Sequence, residues 1–176
     1  MKPFLKYGLW TGAISGLWGI GCFTIVGWLN TALFHQRIPA TQIRSYSGLF
    51  SIIILIVGIY LGMKQAKLKG GNTLTYGQAI QTGILIACVT AVVVACFSWL
   101  YCTIINPGYA DFMVKDTERV LVAAGKSPQE ISQQLDAVRK EFSAGAQVGM
   151  AVVGQAVVGT IAALILGLFI RTKKTM

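Results

Sequence analysis

Residues Tyr76–Ile105 read Y-G-Q-A-I-Q-T-G-I-L-I-A-C-V-T-A-V-V-V-A-C-F-S-W-L-Y-C-T-I-I, without one Asp, Glu, Lys, Arg or His. About 20 apolar residues suffice to cross ~30 Å of hydrocarbon as a helix, so this run spans with length left for tilt or protrusion. Three more runs of the same kind occupy roughly 7–34, 46–63 and 143–170. All 15 Lys and Arg residues and all 6 Asp and Glu residues fall in the tails and connections. One Lys or Arg at mid-span costs about 2.5–3.5 kcal/mol on an insertion scale, and four clean runs in one chain point to selection by lipid. Buried helices of a soluble domain fit less well, because these runs lack the polar face such helices carry.

Composition agrees. The chain is 55% hydrophobic and 12% charged, against about 25% charged in an ordinary soluble domain, with a mean hydropathy of +0.65. The expected fold is all-α: a single membrane domain over 1–176, an integral membrane four-helix bundle with an extramembrane helical hairpin (about 109–142) between helices three and four. The net charge of +9 does not point to nucleic acid, because the basic residues cluster at helix ends where lipid headgroups lie.

The apolar run after Met1–Lys6 exceeds the ~7–15 residues of a signal-peptide core and reads as an uncleaved first helix. Gly19-Ile20-Gly21-Cys22 departs from a lipoprotein cleavage box, which wants an aliphatic residue at Gly19. Trp10 and Trp28 lie about 27 Å apart along a helix, matching two interfaces. Tyr46 and Tyr60 flank helix two, Tyr76 and Trp99 helix three. With both termini cytoplasmic, the short inner segments hold Lys2, Lys6, Lys64, Lys67, Lys69, Arg171, Lys173 and Lys174 and no acid. The outer basic residues, among them Arg37 and Arg44, are spread over far more chain. All acids lie in the third connection, so the positive-inside rule favours this orientation.

Lipid supplies no hydrophobic drive between helices, so close packing needs small residues. Helix one has Gly8, Gly12 and Gly16, then Gly19, Gly21 and Gly27. Helix two ends with Gly58 and Gly62. Helix three carries Ala79, Gly83, Ala87, Ala91 and Ala95. Helix four offers Gly145 and Gly149, then Gly159, Ala163 and Gly167. These stripes are expected to serve packing within the bundle or contact with another protein.

Lys64, Lys67 and Lys69, with Arg171, Lys173 and Lys174, are expected to meet anionic headgroups. Gly70-Gly71-Asn72 supplies a turn, and Thr75 with Gln78 forms a capping box. Asn106-Pro107-Gly108 stops helix three. A polar helix follows over roughly 109–124, ended by Gly125. Ser127-Pro128-Gln129-Glu130 starts the next helix, with Ser as N-cap and Glu at N3. That helix sets Ile131, Leu135, Val138 and Phe142 on one face, which either caps the bundle or docks a partner.

Lys64-Gln65-Ala66-Lys67-Leu68-Lys69-Gly70-Gly71, then Thr75-Tyr76-Gly77-Gln78-Ala79 and Gly83, and Asn106-Pro107-Gly108-Tyr109 beyond helix three, resemble the bacterial membrane family known as domain of unknown function 4199, common in Bacteroidetes. The likeness covers nearly the whole chain. It implies a bacterial inner (cytoplasmic) membrane location and carries over no catalytic residues.

No catalytic, cofactor-binding or metal-ligating set is legible. The one histidine, His35, stands at the outer end of helix one. Cys22, Cys88, Cys96 and Cys102 fall within the runs as small apolar packing residues; no CxxC occurs, and Cys88 and Cys102 lie about 21 Å apart on one helix. Asn30, Gln81, Thr90, Ser98, Gln147 and Gln155 are expected to hydrogen-bond between helices. The function expected is that of a non-enzymatic subunit, scaffold or accessory protein acting through helix packing and the hairpin. The alternatives are an oligomeric channel or transporter for a small solute, and a membrane enzyme using outer-face residues. The expected partners are the lipid bilayer and either a second copy or another membrane protein.

Overall fold

The computed structural model describes residues 2–26 and 39–172, all of whose regular structure is helical. Helix α1 (Pro3–Gly21) continues into a π turn (Cys22–Val26). Helix α2 is Ala40–Lys69, and α3 (Tyr76–Leu100) runs into a second π turn (Tyr101–Ile105). The hairpin helices are α4 (Tyr109–Ala123) and α5 (Pro128–Glu141), and α6 (Ala144–Ile170) closes the bundle. The expected Trp28, Asn30, Gly27, His35, Arg37, Lys173 and Lys174, and helix one beyond Val26, lie outside the described residues.

Four helices, Pro3–Ile25, Ala40–Lys69, Tyr76–Ile105 and Ala144–Ile170, are long and apolar enough to cross a membrane. Each exposes large apolar side chains, among them Trp10, Ile53, Val92 and Val153, and Phe169 is 80% exposed. In water this coat would be an aggregating surface. It fits a multi-pass membrane protein.

Helix α3 is the hub, packing against α1, α2 and α6. The core lies in the half of the bundle distant from the hairpin, where Leu55, Ile59, Met63, Ile86, Ala87 and Ala163 are fully or almost fully buried. Backbone approach there depends on missing side chains. A β-carbon added at Gly8 would come within 2.6 Å of Val89 Cβ, and one at Gly12 within 2.6 Å of Val93 Cβ. At Gly16 it would overlap Phe97, at Gly58 Thr11, at Gly62 Ile86 and at Gly159 Ala87. Thr90 Oγ1 donates to the Gly8 carbonyl at 3.2 Å, tying α1 to α3.

Helix α2 extends past the apolar run 46–63 at both ends. Its C-terminal extension Lys64–Lys69 is built of good helix formers. Its N-terminus is capped from outside: Ala40 N–H donates to Asp116 Oδ2 on α4 at 2.7 Å, which places a carboxylate where the helix dipole favours it. The last break falls at Phe142–Ser143, earlier than Gly145, because the Ser143 hydroxyl accepts from Ala146 N–H and caps α6. Both expected capping boxes form, at Thr75/Gln78 and Ser127/Glu130. Gly71 (φ 67) and Asn72 (φ 62) make the turn after α2, and Thr172 clasps it by accepting from Leu74 N–H and donating to the Asn72 carbonyl.

Candidate functional site

One stripe of α2 runs Ala40, Arg44, Ser47, Ser51, Leu55, Gly58, Gly62, all buried except Arg44 and Ser51, which are half-buried. Within it Arg44 stands at an inward position, on the second turn of the helix. Its Nη1 donates to Gln147 Oε1 on α6 at 2.9 Å, and its guanidinium carbon lies 4.8 Å from the ring centroid of Phe142. Gln147 Nε2 donates to the Glu141 carbonyl at 2.8 Å. That bond fixes the amide and turns its oxygen to Arg44.

Arg44 lines a cleft of about 250 Å³ between α1, α2, α3 and α6 beneath the hairpin. Ser15 and Gly19 of α1 form one wall, Ser47 of α2 a second, and Ser98 of α3 and Met150 of α6 the others. Both π turns abut it: Phe23 comes from the first, Tyr101 and Cys102 from the second. A π turn re-aims side chains around an otherwise regular helix and recurs at functional sites.

Tyr109 roofs the cleft. Its ring meets Phe23, Tyr101 and Phe142 edge-on, with centroids at 5.6, 5.4 and 5.8 Å, the geometry favoured by the ring quadrupole. Only 4% of the residue is exposed. Burial pushes its phenol up to about 12 against the pull of Arg44. The Arg44 guanidinium lies close enough to draw the phenol down by its charge and by hydrogen bonding, yet no bond of good geometry reaches the buried Tyr109 oxygen among the described residues. Ser15, 3% exposed, is in the same position: its Oγ is buried and unpartnered among the described residues. Buried hydroxyls are normally satisfied, so two in one cleft are informative.

The residues singled out from the sequence take other places. Gly8, Gly12, Gly16, Gly58, Gly62, Ala79, Gly83, Ala87, Gly159, Ala163 and Gly167 all lie between helices of the bundle. Gly19, Gly21, Gly145 and Gly149 meet nothing within 4 Å. On the hairpin, Phe142 is buried with Tyr109 and Met113, and Val138 packs against that cluster. Ile131 and Leu135 are half-buried facing Val114 of α4. Lys64 and Lys69 are exposed, whereas Lys67 Nζ donates to the Ile170 carbonyl at 2.9 Å and Arg171 lies 6.0 Å from the Tyr76 ring centroid. Gln81 is exposed. Cys88 and Cys96 are exposed and the other two cysteines half-buried; all four are free. Among the described residues, no three His, Cys, Asp or Glu side chains are grouped to hold a metal ion.

Arg44, Ser15, Tyr101 and Tyr109 are the residues that reading by hydropathy missed. Arg44 looked like a loop residue because it precedes the apolar run. The signal that finds it is spacing: the Gly62–Gly58–Leu55–Ser51–Ser47 stripe, continued by one turn, reaches Arg44.

No curated protein and no solved structure matches this chain. A family model matches residues 6–172, nearly the full length, and the chain belongs to the family described as a protein of unknown function, DUF4199.

Proposed function

We propose that this is a non-enzymatic accessory protein or subunit of the bacterial inner membrane that presents the α4–α5 hairpin on the side away from the cytoplasm. One observation carries the reading: α5 is a fully capped amphipathic helix with no buried residue. Its base is bolted down through Tyr109, Met113 and Phe142, while residues 122–130 at the tip are all exposed. An ordered element that adds so little to the core is suited to meet a partner, either a second copy or another membrane protein. The orientation rests on charge: Lys64, Lys67, Lys69 and Arg171 gather at the end opposite the hairpin, where anionic cytoplasmic headgroups favour them.

The test is crosslinking in intact membranes from single cysteines at Ser132 and Gln134, both exposed on α5, with a cysteine at Lys69 as the opposite-end control. A discrete adduct from α5 positions alone is expected, and reagents that do not cross membranes should reach α5 and not Lys69. Equal labelling at both ends, or no adduct from either, overturns the reading.

The channel or transporter alternative has the cleft in its favour. The cleft ends blind, however: one turn below Ser51, Leu55 begins a layer closed by Ile59, Met63 and Ile86.

A further inference from the structure

We infer that the Arg44 cleft is a binding site for an oxyanion, a carboxylate or phosphate group, seated on the guanidinium beneath the Tyr109 hydroxyl, with the Ser15 hydroxyl lining the same cleft deeper in the bundle. Arg44 offers five N–H donors in a planar fork suited to such groups. It spends one on a neutral amide and sets its face against a phenyl ring. None of the ion pairs of the described residues includes it: Asp116 holds Arg119 and the Ala40 amide, Glu130 faces Lys126, and Asp111 faces Arg139. A cation inside a bundle ordinarily has an anion or carbonyls around it. Here the fixed Gln147 amide aims the guanidinium while leaving most of the fork free.

The two unpartnered hydroxyls supply the second reason. Ser15 and Tyr109 are each more than nine-tenths buried, and both line this cleft. They come from two separate elements, α1 and α4. Both can donate, which is what an anion requires and what Arg44 does not need. Because its phenol is pushed up to about 12, Tyr109 keeps its proton throughout the physiological range and acts as a donor. About 250 Å³ exceeds the ~30 Å³ share of one water and admits a small organic anion or a lipid phosphate. Beside Ser47, Ser51 and Ser98, the wall includes an apolar stretch of Phe97 and Met150 with Gly19, which suits a hydrocarbon portion attached to the charged group.

The full chain in nanodiscs of zwitterionic lipid tests this. The probes are inorganic phosphate and acetate, as free anions, and a short-chain phosphatidic acid, as a headgroup. Binding is read by native mass spectrometry and by the shift in melting temperature. Saturable binding of at least one probe is expected, weakened at least tenfold in Arg44→Gln, partly kept in Arg44→Lys, weakened severalfold in Tyr109→Phe and Ser15→Ala, and unchanged in Arg139→Gln on the hairpin. Binding of the free anions identifies a soluble ligand; retention of phosphatidic acid alone identifies a lipid headgroup. If Arg44→Gln does not fold, Tyr109→Phe and Ser15→Ala decide. No saturable binding of any probe to a well-folded wild-type chain, or binding that all cleft variants leave unchanged, overturns the inference.

Discussion

The Phe142 ring, at the junction of α5 and α6, faces the Arg44 guanidinium at 4.8 Å on one side and the Tyr109 ring at 5.8 Å on another. One aromatic side chain therefore joins the hairpin, the bundle and the cleft. Truncating a buried Phe to Ala costs about 3–5 kcal/mol through lost transfer energy and the cavity left behind. Phe142→Ala should lower the thermal midpoint in micelles and loosen the hairpin base. A cysteine placed at the neighbouring Met113, fully buried in the native protein, should gain reactivity in that background. If its labelling rate does not change, Phe142 does not hold the hairpin.

The glycines of α1 divide into two groups. At Gly12 and Gly16 a β-carbon has no room against Val93 and Phe97, whereas at Gly19 and Gly21 nothing lies within 4 Å. Gly12→Leu and Gly16→Leu should force α1 off α3, at about 1–3 kcal/mol or more for overpacking, and cut the yield of monodisperse protein. Gly21→Leu should be tolerated. Size-exclusion profiles of the three variants measure this directly, and equal yields would show the α1–α3 seam to be plastic.

The contrast shows how far sequence reading goes. The four spans, the hairpin and both capping boxes were legible because charge exclusion and cap chemistry are local. The spacing of Gly8, Gly12 and Gly16 announced a close approach, yet nothing in α1 says that Val89, Val93 and Phe97 receive it, since lipid leaves every apolar face equally acceptable until helices are assembled. The cleft was illegible for a different reason. Arg44 sits outside the apolar run and looks solvated. The helix that carries it starts four residues earlier, at Ala40, where the cap comes from Asp116, far along the chain. A cap delivered from another element leaves no mark on the helix that it caps, and Ser15 and Tyr109 gain meaning only once α1 and α4 meet at that place.

Gly58 and Thr11 form a pair that can be tested as a pair. A β-carbon at Gly58 would overlap the Thr11 side chain, and Thr11 is buried. Gly58→Ala should destabilise the α1–α2 contact by about 1–3 kcal/mol. Thr11→Ala should give back part of that loss in the double variant, because it removes the two atoms most in the way, Oγ1 and Cγ2, and leaves only Cβ at 2.9 Å. Residues in direct contact typically couple by about 0.5–3 kcal/mol. Melting temperatures of the two single variants and the double variant complete the cycle, and strict additivity would mean that the helices simply move apart.

The hairpin carries its own pH dependence at the start of α5. Ser127 N–H and its hydroxyl both donate to Glu130 Oε2 at 3.0 Å, and the Ser127 hydroxyl accepts from Glu130 N–H. These backbone and side-chain bonds from Ser127 hold the Glu130 carboxyl below its usual range. A carboxylate with a depressed folded value stabilises the fold above its unfolded pKa, about 4.3, and loses that contribution as pH falls through the folded value. Amide protection in the first turn of α5 should therefore decline below about pH 4 while α3, whose box uses neutral Gln78, keeps its own. Glu130→Gln preserves a neutral box and should flatten the profile. Ser127→Ala removes the cap at every pH, at about 1 kcal/mol. Hydrogen exchange followed by mass spectrometry across pH 3–7 separates these cases, and parallel loss in α3 and α5 would assign the effect to the bundle as a whole instead of to this cap.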